Sequence, residues 1–173
     1  MKIVLLGYMA SGKSTVGKQL SKKLSVQFLD LDDYISEKEQ MSITEIFDKK
    51  GEVYFRLIEN KYLKAVLEKE EDFILSLGGG TPCYHDNMEI ILKYSKNVFF
   101  INTSPELLSE RLFKQRSKRP IIESINSIIK LKEFISKHLF ERIIFYNQAN
   151  HIILDSNQGI DSTCNKIIEK INL

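Results

Sequence analysis

Long apolar runs are missing from this chain. No stretch approaches the roughly 20 residues that span a membrane as a helix, and residues 3–6 are too few for the core of a signal peptide. The expectation is a cytoplasmic protein with no membrane partner whose mature form starts at Met1. Cysteine is scarce: Cys83 and Cys164 lie far apart and neither belongs to a C-x-x-C, so neither a disulfide nor a zinc site is expected, and a reducing compartment suits them. The three histidines, His85, His138 and His151, lack ligand spacing and read as structural or exposed. Excess charge is missing too. Lys plus Arg number 25 against 23 Asp plus Glu, which gives no global attraction to nucleic acid. Without repeats or low-complexity segments, the 173 residues form one domain, with at most a mobile insertion, and can bury a real core.

What is present begins at residues 3–15, an apolar run that breaks at Gly7 and ends in G-K-S-T. Gly7 to Ser14 fits G-x-x-x-x-G-K-[ST] without a mismatch. Such a loop leads from a buried strand into a helix, so its backbone N–H groups and the helix dipole converge on one anion. Gly7 and Gly12 let the backbone curl, Lys13 reaches the β- and γ-phosphates, and the Ser14 hydroxyl is placed to ligate Mg²⁺. A nucleoside triphosphate is the expected ligand, held by Gly7, Ala10, Ser11, Gly12, Lys13, Ser14 and Thr15.

Val16, Leu20 and Leu24 give the helix after the loop its apolar face. Residues 26–32 then read as a strand with Asp30 and Asp32 on one face, serving a metal or an acceptor hydroxyl; alternatively, Asp32 or Asp33 caps the next helix. Ser42 and Glu45 form a capping box opening a helix that Gly51 stops, and a second helix starts near Glu52. Its apolar face is read from Val53, Leu57, Ile58, Tyr62, Val66 and Leu67. Arg56 and Glu59, three apart, are either a surface ion pair or part of a pocket walled by Phe47 and Phe55.

Residues 73–77 form a buried strand running into Gly78, Gly79 and Gly80, a ligand-approach site or a plain turn. A helix at 86–94, a strand at 97–102 and a helix opened by Ser104 and Pro105 follow. Residues 111–119 gather five cationic side chains in a stretch that is either a solvated face or a lid carrying arginine to a phosphate. A long helix at 127–147 bears Arg142, and a strand at 151–154 and a closing helix complete the chain. Five strands alternating with helices predict a three-layer αβα fold with a parallel sheet.

In order, the segments G-Y-M-A-S-G-K-S-T at 7–15, L-D-L-D-D at 29–33, F-R-L-I-E at 55–59, S-L-G-G-G at 76–80 and R-P at 119–120 strongly resemble the shikimate kinase family of the nucleoside monophosphate kinase-like P-loop group. The resemblance spans nearly the whole chain. It implies a P-loop kinase fold with substrate-binding helices at about 33–60 and a mobile lid at about 112–125, using ATP and Mg²⁺ to phosphorylate the 3-hydroxyl of shikimate in aromatic amino-acid biosynthesis. On that pattern Ser14 and Asp30 match the metal site, and Asp32 matches the aspartate that binds the acceptor hydroxyls. Arg56 and Arg142 match the carboxylate clamp, while Gly78, Gly79 and Gly80 contact the ring hydroxyls. Lys13, Asp32 and Arg119 match the catalytic set, with Arg119 on the lid. Arg111 resembles the residue beside adenine, and the turn at 155–159, with Gln158, lies on adenine's other side without the proline often found there.

Gluconate and adenylate-type kinases share the loop and lid, but the paired arginines and triple glycine favour a hydroxy-acid acceptor. A GTPase-like switch is disfavoured: Asp48 to Gly51 spells D-x-x-G at a helix end, and no N-K-x-D is present. The intact Lys13, Ser14, Asp30, Asp32 and Arg119 weigh against a regulatory ATP-binding module. A monomer is expected, on the premise that no apolar helix stripe is left over once the core is assigned.

Overall fold

The computed structural model describes residues 1–115, 120–155 and 158–171. Five parallel strands lie in the order β2-β3-β1-β4-β5, with β1 Lys2–Leu6, β2 Gln27–Asp30, β3 Phe73–Ser76, β4 Asn97–Asn102 and β5 His151–Leu154. Strand periodicity sorts β1 to two faces. Val4 and Leu6 join Leu75, Phe100 and the helical residues Ile35, Leu63 and Ile91 in one core, whereas Ile3 and Leu5 join Ile74, Phe99, Val16 and Ile167 in the other. Helices α1 (Lys13–Leu24) and α8 (Ile160–Ile171) cover the second face; α2 (Leu31–Glu39), α3 (Ile43–Leu67) and α4 (Asn87–Tyr94) cover the first. This is the expected three-layer αβα arrangement. Truncating a fully buried β1 leucine to alanine costs about 2–5 kcal/mol.

A third cluster closes over the phosphate loop. Tyr8 meets Leu108 and Leu112 of α5 (Pro105–Phe113), Ile122 of α6 (Pro120–Glu123), and Leu131 and Ile135 of α7 (Ile128–Tyr146). The later part of the expected lid is thus fastened to the core through Ile122.

The expected cap of α3 forms, with Ser42 Oγ accepting from Glu45 N and Glu45 Oε2 accepting from Ser42 N. Gly51, at φ 79° and ψ 171°, leaves helical geometry and bends this long element where the sequence predicts a stop.

Three expectations are corrected. Strand two ends at Asp30, and Asp32 sits in the first turn of α2, not on the strand. The cap is Asp30, whose Oδ1 accepts from Asp32 N at 3.1 Å; with that N–H satisfied, the chain turns helical at Leu31 and buries Leu31 and Ile35. Val53 and Leu57 face solvent, because the buried stripe of α3 runs through Phe55, Ile58, Glu59, Leu63 and Val66, half a turn away. The premise behind the monomer also fails: Ile129, Phe140 and Ile144 stand exposed on α7, as do Ile152 and Leu154 on the edge strand β5.

Candidate active site

All the strands point their C-terminal ends to one edge, where open α/β sheets bind ligands. The phosphate loop lies there. Lys13, buried at 7% exposure, donates from Nζ to the Gly7 and Tyr8 carbonyls at 2.9 Å each, which holds the ammonium inside the loop. Gly7 at φ 147° and Gly12 at φ 94° make the curl, and Ala10 shares the left-handed region at φ 62°. The Ser11 hydroxyl is buried without a hydrogen-bond partner among the described residues, an orphaned polar atom in a loop built for an anion. Loop residues from Met9 to Val16 line a cavity of about 520 Å³ shared with Asp30, Asp32, Ser76, Gly78, Gly79, Arg111 and Asp155.

Ser14 Oγ donates to Asp30 Oδ2 at 2.7 Å and lies 3.2 Å from Ser76 Oγ. These hard oxygens suit Mg²⁺, which keeps several waters and takes few carboxylates alongside substrate phosphates. Asp32 stands beside them. Burial, reinforced by the negative charges of Asp30 and Glu59 and opposed by Lys13, lifts its carboxyl from 3.8 to about 6.

The triple glycine makes room for the neighbouring side chains. A methyl on Gly78 would lie 3.0 Å from both Asp32 Oδ1 and Thr81 Oγ1, and one on Gly80 would lie 3.1 Å from Arg56 Nη2. The Arg56 guanidinium lies 3.7 Å over the Tyr84 ring and 5.0 Å from that of Phe55, and Phe47 completes the wall with its ring centroid 4.6 Å from Phe55. Arg56 is no surface pair: Nη1 donates to Glu59 Oε2 at 2.9 Å, and Glu59 is 1% exposed. Arg142 of α7 reaches the same edge over the Tyr8 ring, 5.5 Å from its centroid. The half-buried Cys83, in the 3₁₀ turn Thr81–Cys83, has its thiol raised to about 11 by burial, against the pull of both Arg142 and Arg56.

Arg111 anchors the opposite end. Its Nη1 donates to Asp155 Oδ2 at 2.8 Å and to the Ala10 carbonyl at 3.3 Å. Gln158 does not join the cavity; it is exposed and accepts from Ser162, while Gly159 and Ile160 line the wall. The expectation for Arg119 lies outside the described residues. Sequence reasoning missed Ser76, Thr81, Tyr8, Tyr146 and Asp155. Of these only Asp155, at the end of the last strand, had a readable signal.

A phosphate loop, an oxygen cluster beside it and a buried carboxylate facing a glycine-lined wall define a P-loop phosphotransferase for a small acceptor. The shikimate kinase family model matches residues 9–172. The shikimate kinase of Flavobacterium johnsoniae is 42% identical over 168 residues, covering 97% of each chain, and that of Flavobacterium psychrophilum is 41% identical over 99% of this chain and 96% of its own. Among solved structures, shikimate kinase from Bacteroides thetaiotaomicron superposes with a TM-score of 0.90 at 38% identity, covering 100% and 99% of the two chains. The Acinetobacter baumannii enzyme in complex with shikimate gives 0.87 at 31% identity, covering 99% and 92%. The chain belongs to the shikimate kinase family, whose members phosphorylate shikimate in aromatic biosynthesis, and it is an enzyme of that kind.

Proposed function

We propose that the chain moves the terminal phosphoryl group of ATP to the 3-hydroxyl of shikimate, using the residues gathered at the strand edge. The observation that carries this reading is the sharing of one cavity by the phosphate loop, Asp32 and Gly78, with Arg56 against Gly80 beside it. Shikimate is a carboxylate on a small hydroxylated ring. Planar cations suit its carboxylate, so Arg56 and Arg142 take that end. Asp32, with the backbone of Gly78, Gly79 and Gly80, takes the hydroxyls and orients the attacking oxygen, and Phe47 and Phe55 wall the ring. Lys13 exchanges its loop carbonyls for phosphate oxygens and stabilises charge as bonds to the transferred group loosen. Ser14 and Asp30 would hold Mg²⁺, which neutralises phosphate charge when bound. Arg119 joins the transferring phosphate by the resemblance of its segment, and Arg111, steadied by Asp155, lies along adenine.

The working unit is one chain in the cytoplasm, where ATP is at hand and the free thiols of Cys83 and Cys164 stay reduced. ADP release with ATP and Mg²⁺, measured with shikimate, gluconate or a nucleoside monophosphate, tests the reading. Stimulation by shikimate alone is the expected result; stimulation by another acceptor instead would overturn it.

A further inference from the structure

Tyr8 sits inside the phosphate loop, yet it does not line the cavity that its neighbours from Met9 onward line. Its ring is 1% exposed and rests on the third apolar cluster, and its hydroxyl lies 3.3 Å from His138 Nδ1. Burial and the charge of Arg142 hold the His138 imidazole below its usual pKa, and burial raises the Tyr8 phenol to about 12. The neutral imidazole and the phenol thus share one hydrogen bond, whose direction is set by the imidazole tautomer. One turn beyond His138, Arg142 lies over the Tyr8 ring at 5.5 Å, within cation–π range. One turn further, Tyr146, fully buried, donates its hydroxyl to the Gly79 carbonyl at 2.5 Å. Gly79 itself lies against the loop, since a methyl there would meet Met9 N at 3.2 Å. A single stripe of α7 thus grips the phosphate loop and the triple glycine, with Arg142 between the two grips.

We infer that Tyr8 is a positioning residue for the acceptor: its ring, pinned by His138, forms the platform that aims Arg142 at the substrate carboxylate. Resting on the assignment of Arg142 above, this gives a nucleotide-loop residue an effect on the other substrate. An arginine side chain has several rotatable bonds, and a fixed aromatic face reduces the freedom it must lose on binding.

The test is steady-state kinetics with each substrate varied, on Tyr8→Leu, Tyr8→Phe, Arg142→Ala and the double variant Tyr8→Leu/Arg142→Ala. Tyr8→Leu should raise the shikimate KM by about 5- to 30-fold, the loss of a partly desolvated cation–π contact, while the ATP KM stays within about 2-fold. Tyr8→Phe keeps the ring and should keep most of the shikimate affinity. In the double variant the loss should be no greater than in Arg142→Ala alone, as expected for two residues acting as one unit. A Tyr8→Leu effect confined to the ATP KM, or equal for both substrates, overturns the inference, as does a Tyr8→Phe variant as impaired as Tyr8→Leu. If Arg142→Ala leaves the shikimate KM unchanged, the clamp assignment falls as well; if it raises that KM and Tyr8→Leu does not, only the platform falls. Should Tyr8→Leu fail to fold, Tyr8→Met, which keeps apolar bulk but not the aromatic face, must raise the shikimate KM and spare that for ATP, or the inference fails.

Discussion

Glu59 joins Arg56 to Thr81: one carboxylate oxygen accepts from the guanidinium at 2.9 Å and the other from the threonine hydroxyl at 2.6 Å, with the carboxylate almost wholly buried. Thr81 in turn has its carbonyl bonded by Asn87 Nδ2 at 2.8 Å. The arginine is therefore aimed by a chain of bonds running through the turn that follows the triple glycine.

Glu59→Ala should let the guanidinium fall back toward Glu52, its other partner at 3.3 Å. The expected outcome is a shikimate KM raised about 10-fold with a near-normal ATP KM, and a stability loss of about 3 kcal/mol from breaking a buried pair. Kinetics with each substrate varied and a urea titration check both.

Asp32→Asn should trade turnover for stability. The carboxyl titrates at about 6 in the folded chain against 3.8 when free. Between those values the folded state holds the extra proton, so stability falls as pH rises through that window. In the metal-free protein the asparagine variant should be more stable than the parent at pH 7.5 by ~2 kcal/mol, less than a full two-unit shift implies because Asp32 lines the open cavity. The gain should vanish below about pH 4, where both states of the parent are protonated. Thermal unfolding at the two pH values measures it, and ADP release should show turnover nearly lost.

Ala10→Gly removes a methyl from a backbone held at φ 62°. Relief of left-handed strain outweighs the added freedom of the unfolded chain, and a gain of about 0.5–1 kcal/mol is expected. The Arg111 contact uses the Ala10 carbonyl and survives the change. A rise of about 1–4 °C in Tm is the readout.

Asp155→Ala should act on the nucleotide alone. Its carboxylate holds Arg111 and accepts from the Thr103 hydroxyl at 3.1 Å. With the arginine released, the ATP KM should rise about 5-fold, the scale of a half-exposed charge-assisted bond, and the shikimate KM should hold. Nucleotide titration followed by calorimetry would detect the loss without turnover.

Local chemistry made much of this legible from the chain alone. The loop from Gly7 to Ser14, the Ser42–Glu45 box, the Ser104 cap and the apolar strands each declare themselves within a few residues. The switch at Leu31 did not, because alternation continues through residues 29–32 and only the Asp30 cap decides where the strand stops. Nor did the burial of Glu59, since an arginine and a glutamate three apart look alike on a wet or a dry helix face. Tyr8 and His138 are separated by 130 positions, and no local pattern joins them. Phe140 and Ile144 fit the period of a buried face but fall on the outer side of α7.

The bend at Gly51 divides the wall of the proposed acceptor pocket between two helical arms. Phe47 rides on the short arm before the bend, Phe55 and Arg56 on the long arm after it, and the two aromatic rings touch across the joint. Phe47, one half of the apolar lip, therefore belongs to a different arm from the proposed charged grip, and Phe55 to the same one. A change at Phe47 would reshape that half of the lip and leave Arg56, the proposed grip on the carboxylate, where Glu59 holds it.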